Sequence, residues 1–438
     1  MSEWETTTLG EFTTLQRGHD LPKQDRREGD VPILGSFGIT GWHDESKVKG
    51  PGVTVGRSGA SYGVVSYSEC DFWPLNTALF VKDFHGNDER FAYYFLQSID
   101  FKRFNSGSAV QSLNRNHVHP MEIRVPPLPE QRAIASILEA LDDKIELNRR
   151  MNATLESLAR AIFKSWFVDF DPVKINAGQM PASSAIPTTH DPKVLDLFPS
   201  TFQDSQLGPI PEGWNAKPLS DICELMSGGT PKKKIEEYWN GNLPWISPKA
   251  MNGIHVFESD SCVTEAAVGN GTRLVPAGTT LVMVRGMGLH QGVRISQAQR
   301  DVTFNQDVKA LIPTTVDSTF LLYAMLNAAP ILFGKVRAAG HGTGVLSTDI
   351  IKDLEFAIPP DGIFGRLTQP LKELNQEVHN NELEAQSLSA LRDALLPKLL
   401  SGSIRLDNAQ ETKRVNACLL YTSPSPRDLS TSRMPSSA

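Results

Sequence analysis

Two heptad seams, offset by 233 residues, constrain this 438-residue chain more than any other feature of it. The first runs through Ile134, Leu138, Leu141, Ile145, Asn148, Asn152, Leu155, Ala159, Ile162 and Trp166. The second runs through Leu367, Leu371, Leu374, Val378, Asn381, Ala385, Leu388, Arg392, Leu395 and Leu399. Steps of four and three alternate, as in the seam of a coiled coil. A polar residue interrupts both seams at the same place, Asn148 and Asn381. Such an asparagine either fixes register by a mutual hydrogen bond or is solvated at a local opening. Each helix follows a globular segment that ends in a double proline, Pro126-Pro127 and Pro359-Pro360. The chain is therefore two heads on two matching helices.

The segment 1–128 reads as a mixed, strand-rich head, with short alternating runs among glycine turns and a helix over Asp88–Ser98. Pro129 opens the first helix, which is expected to reach Phe167, with the spacer element closing at 170. Residues 171–212 are rich in Pro, Ala, Ser and Thr and read as a linker. Residues 213–360 repeat the first head: Gly18 aligns with Gly228, Gly56-Arg57-Ser58-Gly59 with Val284-Arg285-Gly286-Met287-Gly288, and Asn76 with Asn305. The second helix is expected over about 363–400 within a 361–405 element, and the polar tail 406–438 falls outside fold reasoning, its Cys418–Ala438 end resembling a cloning or sequencing scar.

Composition narrows the function classes. No apolar run is long enough to span a membrane, and the acidic start Met1-Ser2-Glu3-Trp4-Glu5 lacks a signal peptide's apolar core. Four scattered cysteines without a CxxC pair argue against zinc clusters and disulfides and for a cytoplasmic setting. The net charge of −7 argues weakly against a free-standing DNA binder and fits recruitment of more basic subunits. An adenine methyltransferase needs an Asn/Asp-Pro-Pro-aromatic loop and a motor needs a phosphate-binding Gly-rich loop ending in Lys-Ser/Thr; the sequence has neither.

Three phrases in fixed order carry a family resemblance: Pro126-Pro127-Leu128-Pro129-Glu130-Gln131-Arg132, then Lys164-Ser165-Trp166-Phe167-Val168-Asp169-Phe170-Asp171-Pro172-Val173, then Leu207-Gly208-Pro209-Ile210-Pro211-Glu212-Gly213-Trp214. On this duplicated frame the chain resembles the specificity subunit of type I restriction–modification enzymes. The departure lies at the second boundary, where Asp361-Gly362-Ile363-Phe364 replaces the Pro-Glu-Gln opening and points to a later helix start or different packing. The resemblance implies an α+β fold: two homologous mixed α/β target recognition domains joined by two long helices in an antiparallel coiled coil. It implies double-stranded DNA as ligand, each domain reading half of a split site. It further implies two methyltransferase subunits as partners, and motor-nuclease subunits joined through them. It implies no active site in this chain and no cofactor bound by it; S-adenosylmethionine, ATP and magnesium would serve the other subunits.

Within the heads, the turns around Arg57, Ser58 and Tyr62 and around Arg285, His290 and Gln291 are the best DNA candidates. Glycines there let the backbone approach closely, Arg reaches guanine and Gln pairs with adenine; the alternative is a pair of tight hairpins. Lys232, Lys233 and Lys234 suit phosphate contact or a solvated face. Asn114 and Arg115 read as a DNA-facing loop or a helix cap. His117 and His119 lack acidic or cysteine neighbours and read as surface residues, not a metal pair. Trp166 and Phe167 are expected to pack against a head or the second helix. The competing readings are a coiled-coil adaptor that binds no nucleic acid, and the recognition half of a truncated single-chain enzyme.

Overall fold

The computed structural model describes residues 4–104, 112–338 and 342–406. The chain forms two compact units, one of residues 1–148 with 384–438 and one of residues 149–383. Each holds one head and its own stretch of both long helices.

In the first unit a four-stranded sheet runs in the order Thr14–Arg17, Ala78–Asp83, Gly52–Gly56, Val65–Ser68. A second sheet pairs Val31–Gly35 antiparallel with Gly38–His43 and parallel with Trp73–Pro74. Glu5–Thr8 pairs with Glu122–Val125 and brings the head's two ends together. The helix Glu89–Gln97 is capped by Asp88, whose carboxylate accepts from Phe91 N at 2.9 Å. It buries Phe91, Tyr94, Phe95 and Leu96 beneath the sheet.

The second unit repeats this plan and extends it. Its sheet runs Cys223–Ser227, Val308–Pro313, Thr280–Met283, Ile295–Ala298, and adds a fifth, edge strand, His255–Val256. Trp239–Ile246 pairs antiparallel with Cys262–Val263 and parallel with Val302–Phe304. Asn215–Pro218 pairs with Glu355–Ile358. Asp317 caps the helix Ser318–Gly334 as Asp88 caps its counterpart.

The long helices span Leu128–Phe167 and Asp361–Leu400. The second begins directly after Pro359-Pro360, which corrects the expectation of a delayed start: Pro360 O accepts from Ile363 N and Phe364 N, so Asp361-Gly362 makes the first turn without the Pro-Glu-Gln phrase. In the first unit Asp142 meets Arg392 and Asn148 meets Glu384. In the second, Asn152 meets Asn381 and Val378. In the first unit the partner number falls as the residue number rises, so the pairing there is antiparallel. Of the seam, Leu141, Ile145, Asn148, Val378 and Asn381 are buried, whereas Leu155, Leu374 and Leu388 are half-buried. Asn381 Nδ2 donates to Asn152 Oδ1 at 2.9 Å and Asn148 Nδ2 to Glu384 Oε2 at 2.7 Å, so both seam asparagines reach across to the facing helix.

The segment 171–212 is folded, not a linker. It forms the helices Asp171–Asn176 and Pro192–Leu195 and the hairpin Phe202–Ser205/Gly208–Pro211. Its composition hides sparse anchors: Val173, Phe198 and Ile210 are buried in one cluster with Trp166, Phe167 and Trp214. Trp166 Nε1 donates to Thr189 Oγ1 at 2.9 Å. Each side chain of that cluster removes roughly 1.5–3 kcal/mol of apolar surface from water, enough to order a Pro/Ser/Thr-rich connection.

Candidate nucleic-acid interface

Strand register places the duplicated residues and corrects the sequence alignment by one position. Val55 faces Leu79 and Gly56 faces Ala78, as Val282 faces Lys309 and Met283 faces Val308. Gly56 therefore matches Met283, Arg57 matches Val284, and Ser58 matches Arg285. Hydrogen bonds agree: Leu113 N donates to Arg57 O, and Leu346 N to Val284 O, each at 2.9 Å. Successive strand residues point to opposite faces, so Arg57 and Arg285 are not equivalent. Asn76 likewise matches Gln306, not Asn305. Its amide donates to Asp20, and Thr230 donates to Gln306 at the same place. The match of Gly18 with Gly228 stands. A Cβ on Gly18 would sit 2.2 Å from Leu75 O, and one on Gly228 would sit 2.3 Å from Asn305 O.

In the first head, Arg57, Asn114 and Arg115 line one cleft of about 810 Å3 together with Gln16, Arg17, Gly18, His19, Asp20, Leu79, Ser112 and Leu113. Three arginines and a histidine face one acidic residue. Asn114 caps the short helix Arg115–Val118, accepting from Asn116 N at 3.0 Å, and is exposed. The cap and the cleft wall are the same residue. Ser58 bridges Ser112 and holds the two loops together. Tyr62 is not available to DNA: it is buried and its hydroxyl donates to Phe101 O at 2.9 Å. His119, read as a surface residue, is half-buried and committed within the head. Its Nε2 accepts from Leu15 N at 3.0 Å, and burial, with Arg115 beside it, holds its pKa below the usual histidine range.

In the second head, Arg285 and Arg337 both lie opposite Val345 in a three-stranded ladder, so their side chains share a face, and both are exposed. His290 contacts Gly342 O through Nε2 at 2.7 Å, and Gln291 beside it is exposed. Lys232, Lys233 and Lys234 are all exposed on the loop that follows Gly228, the counterpart of the Gly18 loop lining the first head's cleft.

Sequence reading missed Gln16, Arg17 and His19 in the first head and Lys309 and Arg337 in the second. Arg17 faces Leu79 across its strand pair, whereas Ser227 faces Lys309 at the equivalent place. The cation has moved from one strand to its neighbour while staying at the same spot. Burial, with Lys352 nearby, pushes Lys309 below the usual lysine range, and its ammonium donates to Ser227. Only the strand register reveals this exchange.

The profile of the family described as type I restriction modification DNA specificity domain matches residues 1–157 and again 211–385. The chain belongs to this family. The two matches each take in one head and part of a long helix, which is the duplication seen in the fold. The HindI specificity subunit of Haemophilus influenzae is 28% identical over 325 residues, covering 66% of this chain and 70% of that one. The EcoR124I/EcoR124II specificity subunit of Escherichia coli is 35% identical over 151 residues, covering 34% of this chain and 37% of that one. The crystal structure of the S subunit of a type I system from M. genitalium has the same fold, with a TM-score of 0.56 at 18% identity, covering 91% of this chain and 96% of that one. The chain is thus a DNA sequence-recognition subunit of the type I restriction–modification class, and no finding favours the adaptor reading. Among the described residues no helix is long and apolar enough to cross a membrane.

Proposed function

We propose that this subunit reads a bipartite DNA site, one half per head, and catalyses nothing itself. The carrying observation is the first head's cleft, where Arg17, Arg57 and Arg115 converge with Gln16 and Asn114. Arginine pairs with guanine and Gln or Asn with adenine in the major groove. The exposed lysines Lys232, Lys233 and Lys234 contact phosphates and position the second head without reading bases. Its base-reading side chains come from the face bearing Arg285 and Arg337. The long helices carry two methyltransferase subunits, which bring the motor-nuclease subunits and all of the S-adenosylmethionine, ATP and magnesium. The seam asparagines Asn148 and Asn381 hold the helix register. The work takes place in the cytoplasm, where the DNA is.

The test is binding by the assembled methyltransferase complex. Arg57→Ala weakens discrimination at one base pair of one half-site by about 1–3 kcal/mol. Replacing Lys232, Lys233 and Lys234 together weakens binding to every sequence and flattens its salt dependence by about three units of slope. Uniform loss from Arg57→Ala, or an unchanged slope in the triple variant, overturns the assignment of those residues.

A further inference from the structure

The two heads are fastened to their helices by different chemistry at equivalent places. In the first unit Tyr94 donates to Asp142 Oδ2 at 2.8 Å, and Arg392 Nη1 donates to Asp142 Oδ1 at 2.7 Å. Head, first helix and second helix thus meet at one carboxylate. The 233-residue repeat puts Asn375 where Asp142 stands and Ala159 where Arg392 stands. The lock is missing from the second unit, and Tyr323, the counterpart of Tyr94, is buried with its hydroxyl unpartnered.

A different fastening replaces it, on the second head's added edge strand, which has no counterpart among the described residues of the first head. His255 has a fully buried side chain; its Nδ1 lies 2.6 Å from Glu382 Oε2 and its Nε2 lies 3.0 Å from Asn375 Oδ1. The polarity of that contact is fixed from outside. Gln297 Nε2 donates to Ser318 O at 2.9 Å, which turns its Oε1 toward Asn375 Nδ2 at 3.3 Å. Asn375 must then present its oxygen to His255. Both ring nitrogens thus face acceptors, a setting that only a ring donating from both nitrogens satisfies in full. From the second helix Glu382 and His379 face this ring, and from the first helix Glu156 and Arg160 act on the same cluster. His379, half-buried beside His255, is held below the usual histidine range, first by its partial burial.

We propose that His255 is a buried imidazolium clamp that positions the second head on the second long helix through Glu382 and Asn375, and that it sets how strictly the complex measures the gap between half-sites. The gap consequence rests on the bipartite reading above; the clamp itself does not. An uncompensated buried charge is strongly unfavourable, so removing either partner frees the strand from the helix. The loosened head keeps its own base-reading face and accepts half-sites at neighbouring spacings.

Two measurements decide it. Nitrogen NMR of the full chain with 15N-labelled histidine, assigned with His255→Asn, shows both His255 ring nitrogens protonated at pH 7; a neutral tautomer overturns the clamp. In the assembled methyltransferase complex, His255→Leu cuts the preference for the cognate gap over gaps one base pair longer or shorter by about tenfold, or 1.4 kcal/mol. Base preference within both half-sites stays as in the parent. Glu382→Gln, which keeps the size of the partner and removes its charge, loosens the gap in the same direction. It serves as the test if His255→Leu does not fold. Unchanged gap preference in a folded variant overturns the positioning role. A parent complex that shows no bipartite site refutes the DNA reading instead, and leaves the NMR result to judge the clamp.

Discussion

Tyr94 and Tyr323 each stand six residues beyond the aspartate that caps their helix, yet only Tyr94 has a partner for its hydroxyl, the Asp142 carboxylate at 2.8 Å. A hydrogen bond to a charged group contributes about 1.5–3 kcal/mol, and a stranded buried hydroxyl costs about 1–3 kcal/mol. Removing one oxygen atom is therefore expected to act oppositely in the two heads. Tyr94→Phe destabilises by about 1.5–3 kcal/mol, and Tyr323→Phe is neutral or stabilising. Urea unfolding midpoints of the full chain check both; equal losses would mean that the two hydroxyls have equivalent surroundings.

His119 gives the first head an acid-sensitive joint. Its Nε2 must be unprotonated to accept from Leu15 N, and burial with Arg115 nearby lowers its pKa from the ordinary 6.5. The unfolded chain then binds the proton more readily than the folded one. The histidine's contribution is present above about pH 6.5 and is lost as the pH falls through the lowered folded value. Arg115 also donates to Leu15 O at 3.4 Å, so the same protonation disturbs the wall of the cleft. Binding and stability should decline together on acidification, and His119→Gln, which keeps an acceptor without a titrating ring, should remove that part of the pH profile. A profile unchanged by the substitution rules His119 out as its source.

What could be read from the sequence, and what could not, follows from where each signal lives. The long helices are legible because period and double proline both repeat in one dimension. The head plan is legible for the same reason. The slip that pairs Arg57 with Arg285 arises because residue likeness competes with register, and register is settled by cross-strand partners such as Ala78 and Val308. Lys309 was invisible because its equivalent, Leu79, is apolar; the cation it replaces, Arg17, belongs to the neighbouring strand. The 171–212 segment looked like a linker because its few buried side chains are far apart in sequence. His255 gave no signal at all, since its acceptors lie more than a hundred residues away.

Within the seam, Asn381 donates to Asn152 and Asn152 donates to Val378 O at 3.2 Å, all buried. Asn152→Leu alone removes the buried oxygen that accepts from the Asn381 amide and is expected to cost about 1–3 kcal/mol. The double substitution Asn152→Leu with Asn381→Leu should recover that loss, because an apolar pair of this size needs no partner. It should also relax helix register, the use to which a polar seam residue is best suited. Thermal midpoints of the two variants test the first claim. A double variant no more stable than the single one would show that the pair contributes packing, not polarity.

Helix length should set the spacing of the recognised site. The first long helix, Leu128–Phe167, has 40 residues, or about 60 Å at 1.5 Å per residue. Adding seven residues to both long helices at facing positions preserves the heptad seam and extends the pair by about 10 Å. Rise along B-DNA is about 3.4 Å per base pair, so the gap should grow by about three base pairs while both half-site sequences stay as they were. Removing one heptad from each helix should shorten it by the same amount. Methylation mapping in cells expressing the variant with its methyltransferase reads the gap directly. An active heptad variant that keeps the parent gap would show that something other than these helices sets the distance.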